Sequence, residues 1–155
     1  MTDPHAPRWQ GRRRAREGAL QILYQVEVGQ LGVGDASMLR AMVGAPDDTF
    51  DLDDASQAYA DALARGALEQ RADLDARLAD AARNWRVERM AVVDRLVLRL
   101  ALHELMAHPS TPPRVVIDEA IELARRYSGD QAARFVNGVL DGVFKKLRDE
   151  GAIVE

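Results

Sequence analysis

The stretch MAVVDRLVLRLALHELMA, residues 90–107, decides the fold class. At the spacing of a helix, Met90, Val93, Leu96, Val97, Leu100, Ala101 and Leu105 fall together, while Val92, Leu98 and Leu102 fill much of the remaining circumference. A helix that is apolar on nearly every side is a central one, so residues 87–106 predict a helix buried by its neighbours. Asp94, Arg95, Arg99, His103 and Glu104 interrupt the run and exclude a membrane span.

Similar periodicity extends in both directions from this segment. Before it, residues 53–83 predict one long helix with Tyr59, Leu63, Gly66-Ala67, Gln70, Leu74 and Leu78 near one face. Gly66, costing roughly 1 kcal/mol relative to Ala, marks a bend or a close contact there, and Asn84-Trp85 marks a corner. After it, Pro109 stops the central helix and Thr111-Pro112-Pro113 starts a fifth, because proline suits a first turn whose N–H groups lack partners. Ile117, Ile121 and Ala124 supply its core stripe, and Ser128-Gly129 ends it. Asp130 can then cap a sixth helix carrying Phe135, Val136, Val139, Leu140, Val143, Phe144 and Leu147.

The N-terminal part follows the same rules. Residues 11–28 predict a first helix with Ala15, Ala19, Ile22, Leu23 and Val26 on one face, terminated by Gly29, Gly32 and Gly34. Asp35 caps a short second helix through Met38, Leu39 and Met42. Residues 1–10, with Pro4 and Pro7, read as a flexible arm, and residues 11–150 as a single helical domain. No strand pattern competes, so the expected class is all-α.

Composition agrees. The 155 residues suffice for one core. The chain is 47% hydrophobic but only 5% aromatic and rich in Ala, Leu and Arg, which favours helices over sheets. Without a cysteine there is no disulfide, thiolate metal site or cysteine nucleophile. Residues 1–10 lack the apolar region of a secretory signal, so the expected location is the cytoplasm. The net charge of −4 hides a polarised chain: five arginines and no acid lie in residues 8–16, six aspartates and no Lys or Arg in residues 47–64.

The densest of these charges are Arg12, Arg13, Arg14 and Arg16. At the start of a helix each cation forfeits roughly 0.3–1 kcal/mol against the macrodipole, so an outside ligand is expected to compensate. Arginine bonds phosphate bidentately and stacks on bases, which points to single-stranded nucleic acid; a solvated basic end paired with the Asp-rich stretch is the competing reading. Tyr24, further along the same helix, is either an aromatic surface for a base or a half-buried core residue.

Other clusters carry less. His103 and His108 are five residues apart, about 140° around a helix, and miss the spacing of two metal ligands on one face. His103 is expected on a helix flank and no metal is expected. Asp118, Glu119 and Glu122 suit the dipole of an early helix, with Glu122 in reach of Arg125 or Arg126. The glycines at 29, 32 and 34 lack the Lys-Ser/Thr of a phosphate loop. No nucleophile, base and orienting group assemble, so neither enzymatic activity nor a cofactor is expected.

Three blocks resemble the NusB family of transcription antitermination factors. They are Arg12-Arg13-Arg14-Ala15-Arg16-Glu17 continuing to Gln21-Ile22-Leu23-Tyr24; Val92-Val93-Asp94-Arg95 through Leu98-Arg99-Leu100-Ala101-Leu102 to Glu104-Leu105; and Pro113-Arg114-Val115-Val116-Ile117-Asp118-Glu119-Ala120-Ile121-Glu122-Leu123-Ala124 leading to Arg134-Phe135-Val136-Asn137-Gly138-Val139-Leu140-Asp141. They follow family order, and the last is the most specific.

The resemblance implies a pair of helical bundles sharing the first and central helices. It implies a factor that, with the ribosomal protein NusE, binds single-stranded boxA RNA of ribosomal RNA leader transcripts and keeps RNA polymerase in an antitermination complex. Arg12, Arg13, Arg14, Arg16 and Tyr24 correspond by position to the family's RNA-binding helix, and Arg134 and Phe135 to a cation and an aromatic of the adjoining RNA surface. For Phe135, burial beside Val136 and Val139 is the competing reading. Asp94 falls where the family carries an acid facing NusE. His103 replaces an aromatic often seen there, and Gln131 stands where an acid is familiar. Family members include homodimers that hide the RNA surface, and the sequence leaves the oligomeric state open. The helical RNA-guiding domain fused to RNA cytosine methyltransferases also resembles this family, and that alternative expects a downstream catalytic domain with a Gly-rich cofactor loop and a cysteine nucleophile; a protein-interaction module in which the arginines dock an acidic partner is a further alternative.

Overall fold

Six helices account for most of the residues described by the computed structural model, which are 6–29, 53–82 and 86–153. No strand occurs among them. They are α1 (Ala6–Gly29), α2 (Asp54–Glu69), α3 (Arg71–Ala81), α4 (Val92–Ala107), α5 (Pro113–Ser128) and α6 (Asp130–Asp149), with a 3-10 turn at Val87–Arg89. The all-α class is as expected. The short helix expected around Met38, the corner at Asn84-Trp85 and residues 47–52 of the Asp-rich stretch lie outside the described residues. None of the described helices is long and apolar enough to cross a membrane.

The chain forms two compact units, Met1–Glu69 and Gln70–Glu155. In the first, α1 packs on α2. Helix α1 starts at Ala6, inside the expected arm, with Pro7 in its first turn, where a missing N–H costs nothing. Ala15, Ala19, Ile22, Leu23 and Val26 are all buried, as their spacing implied. Helix α2 answers with Ser56, Ala60, Leu63, Ala64 and Ala67. Small residues on both helices permit close approach: a Cβ on Gly11 would lie 2.2 Å from the Ser56 hydroxyl oxygen. Asp53 caps α2, its Oδ1 accepting the Ser56 N–H at 2.7 Å. That bond and one with the Ser56 hydroxyl hold the Asp53 carboxyl below its ordinary range.

The long helix expected over 53–83 is two helices. Gln70 leaves helical geometry at φ −100°, ψ 14°, and its side-chain oxygen lies 3.0 Å from Nδ1 of His103. The break falls four residues past Gly66, where a bend had been expected. His103 itself is buried rather than on a flank, its ring meeting His108 edge to face with centroids 5.6 Å apart.

The second unit is built on α4, which contacts α3, α5 and α6. Every residue from Leu96 to Leu105 is buried, the state that its all-round apolar pattern predicted; a fully buried leucine is worth about 1.5–3 kcal/mol. The helix begins later than expected, because Met90 and Ala91 are extended, with ψ 149° and 143°. Helix α5 starts at Pro113 as its prolines implied, but its core stripe is Val116, Ala120, Leu123 and Ala124. The expected Ile117 and Ile121 are only half-buried. Two overlapping stripes satisfy the same spacing in Val115-Val116-Ile117, and packing against α4 and α6 selected the one displaced by a residue. At the junction with α6, Gly129 adopts φ 96° and ψ 179°, a conformation that side chains rarely tolerate.

Candidate functional site

In the first unit, the arginines spread around α1 at 100° per residue. Arg12 continues the core stripe of Ala15, Ala19 and Ile22 towards the N-terminus, and its guanidinium lies over the Tyr59 ring of α2, 4.7 Å from the centroid. Arg13 is half-buried, Arg14 exposed on the far side, and Arg16 buried with 6% of its surface accessible. Tyr24 is exposed and lies on the same side of α1 as Arg13. Because α1 begins at Ala6, these arginines occupy its second and third turns, beyond most of the macrodipole's reach. The electrostatic penalty that sequence reasoning assigned to them is therefore largely relieved by five added helical residues.

In the second unit, Asp94 and Phe135 line one recess of about 330 Å³ together with Arg89, Ser128 and Gln131. Asp94 is buried, and its Oδ1 has no hydrogen-bond partner among the described residues. Burial pushes its carboxyl above the ordinary carboxylate range, while a hydrogen bond with the Ser128 side chain pulls the other way. Phe135 is half-buried at the wall, a position between the two readings of it. Arg134, the preceding residue, is exposed. Chemically the lining of the recess offers an acceptor from Asp94, an aromatic ring from Phe135 and a cation from Arg89.

Sequence reasoning missed Tyr59, Arg89 and Ser128. In the sequence Tyr59 falls only into a core stripe, and no local signal reveals that its ring meets Arg12. In the sequence Ser128 marks a helix stop and Arg89 carries no signal, since nothing in either segment marks a recess. Of the acids set aside, Glu122 pairs with Arg125 at 2.7 Å, as its spacing implied. Glu119 is buried and Asp118 exposed.

The pattern of the NusB family matches residues 13–145. The chain belongs to the NusB family. Among its relatives, the transcription antitermination protein NusB of Sorangium cellulosum is 43% identical over 138 residues, covering 88% of this chain and 93% of the relative. That of Elusimicrobium minutum is 42% identical over 141 residues, covering 90% and 96%. The T. maritima NusB structure superposes with a TM-score of 0.75 at 34% identity, covering 94% of each chain. A crystal structure of NusB and NusE in complex with double-stranded RNA superposes at 0.71 with 25% identity, covering 88% of this chain and 98% of that one. The protein is thus a NusB-type transcription antitermination factor, all-α like the NusB structures that it matches.

Proposed function

We propose that this protein, with NusE, binds the single-stranded boxA element of ribosomal RNA leader transcripts and keeps RNA polymerase in a processive, antiterminating complex in the cytoplasm, without catalysis of its own. The observation that carries the reading is the arginine run of α1 in a chain whose fold matches a NusB solved with NusE and RNA. Arg13 and Arg14, accessible on α1, bond phosphates; Arg12 does so from its place beside Tyr59. Tyr24 and Phe135 stack on unpaired bases, worth roughly 1–3 kcal/mol per base, and Arg134 adds a cation beside Phe135. Arg16, being buried, acts by supporting this end of α1. Asp94, an acid with an unfilled acceptor in the lining of a recess, receives a donor from NusE.

The test is RNA binding across a salt series, with and without NusE, using a boxA-type strand, a scrambled strand and the boxA duplex. The reading expects the boxA strand to bind tightest, more tightly with NusE, and to weaken linearly in log affinity against log salt. Equal binding of all three RNAs, or no salt dependence, overturns it.

A further inference from the structure

The contact between Arg12 and Tyr59 joins residues from two helices and carries a consequence for the arginine run. A charged guanidinium on a partly exposed arginine samples many rotamers, and freezing a side chain of that kind costs up to about 2 kcal/mol when a ligand binds. An aromatic ring orders it through the quadrupole of its face and adds no countercharge. The Tyr59 ring makes such a contact with Arg12 at 4.7 Å.

The surroundings fix this pair in place. Ser56 precedes Tyr59 by one helical turn on the same side of α2, and it is buried against Gly11, the neighbour of Arg12. Its hydroxyl and N–H are both engaged by Asp53, so it cannot swing away without breaking the cap of α2. The register of α1 on α2 is thereby set one residue from Arg12, and the register brings its guanidinium to the ring.

We infer that Tyr59 is a positioning residue for RNA binding: it holds the Arg12 guanidinium ready for a phosphate while leaving its charge uncancelled by the ring. This rests on the RNA-binding reading proposed above. Tyr59 touches no RNA in this account and acts through Arg12 alone.

The experiment measures binding of a boxA-type RNA strand in the presence of NusE, across a salt series, for the unaltered protein, Arg12→Ala, Tyr59→Leu, Tyr59→Phe and the double variant Arg12→Ala/Tyr59→Leu. Circular dichroism confirms helicity in each. Tyr59→Leu is expected to lower affinity about threefold to tenfold, in keeping with one cation–π contact. It also reduces the salt slope by up to about 0.7, the share of one phosphate on a single strand. Tyr59→Phe keeps the ring and is expected to behave as the unaltered protein, and Tyr59→Leu adds nothing once Arg12 is alanine. A purely structural tyrosine would leave the salt slope unchanged. The inference is overturned if Tyr59→Leu retains the full slope while Arg12→Ala loses it, if the two changes add, or if Tyr59→Leu fails to fold and Tyr59→Phe weakens RNA binding. Absence of salt-dependent RNA binding by the unaltered protein overturns the RNA reading itself, and this inference with it.

Discussion

Arg99 of α4 grips Asp75 of α3 through two parallel bonds, Nε to Oδ1 at 2.7 Å and Nη2 to Oδ2 at 2.8 Å. The arginine side chain is only 8% accessible and the aspartate 30%. Removing the carboxylate leaves a cation in the interior with a lost partner, a change costing about 3–5 kcal/mol at a fully buried pair and less where one partner meets water. Asp75→Ala is therefore expected to lower stability by about 2–3 kcal/mol, read as a lower urea midpoint, whereas Asp73→Ala, an exposed partner of Arg77, changes it by less than about 1 kcal/mol.

Asp94 gives a pH signature. Its carboxyl titrates above the ordinary carboxylate range because burial penalises the charged form. A raised acid contributes stability that is fully present below the ordinary range near 3.8 and is lost as pH rises through its own, higher value. At neutral pH Asp94→Asn, which removes the buried charge, is expected to be more stable than the parent, and the difference should vanish on acidification. Urea midpoints of both proteins from pH 7 downwards check this; a constant difference would contradict it. The same variant is expected to weaken NusE capture at neutral pH, since an amide cannot replace the carboxylate for a cationic donor.

The arginine run separates by burial. Arg14 is exposed, so Arg14→Ala should change stability by no more than about 0.5 kcal/mol while reducing the RNA salt slope. Arg16 is buried, and Arg16→Ala is expected to cost about 1–3 kcal/mol by stranding the groups that it satisfies. Thermal unfolding alongside RNA titration distinguishes the two.

Two glycines should respond with opposite signs. Gly129 sits at φ 96° and ψ 179°, so Gly129→Ala is expected to destabilise by about 1–3 kcal/mol despite the open space around it. Gly138 lies inside α6 with no atom within 4 Å of a new Cβ, and Gly138→Ala should stabilise by about 0.5–1 kcal/mol through helix propensity. Equal effects at both positions would argue against the α5–α6 junction geometry.

The order and class of the described helices were legible in the sequence, because the 3.6-residue spacing of Ala15, Ala19 and Ile22, the proline pair at Pro112-Pro113 and the apolar residues distributed around α4 are all local signals. Tertiary contact decided what local spacing leaves degenerate. Val116 faces the core in place of Ile117 because both stripes fit one helix and only the neighbours discriminate between them. The long helix breaks at Gln70, whose side chain is engaged by a histidine far along the chain. The candidate site divides in the same way. The arginines and their resemblance to a family were visible in the sequence, but their separate roles were not. Arg12 is held by a ring, Arg14 is open to solvent and Arg16 is buried. Those environments depend on the rotation of α1 against α2, and only packing between residues distant in sequence fixes that rotation.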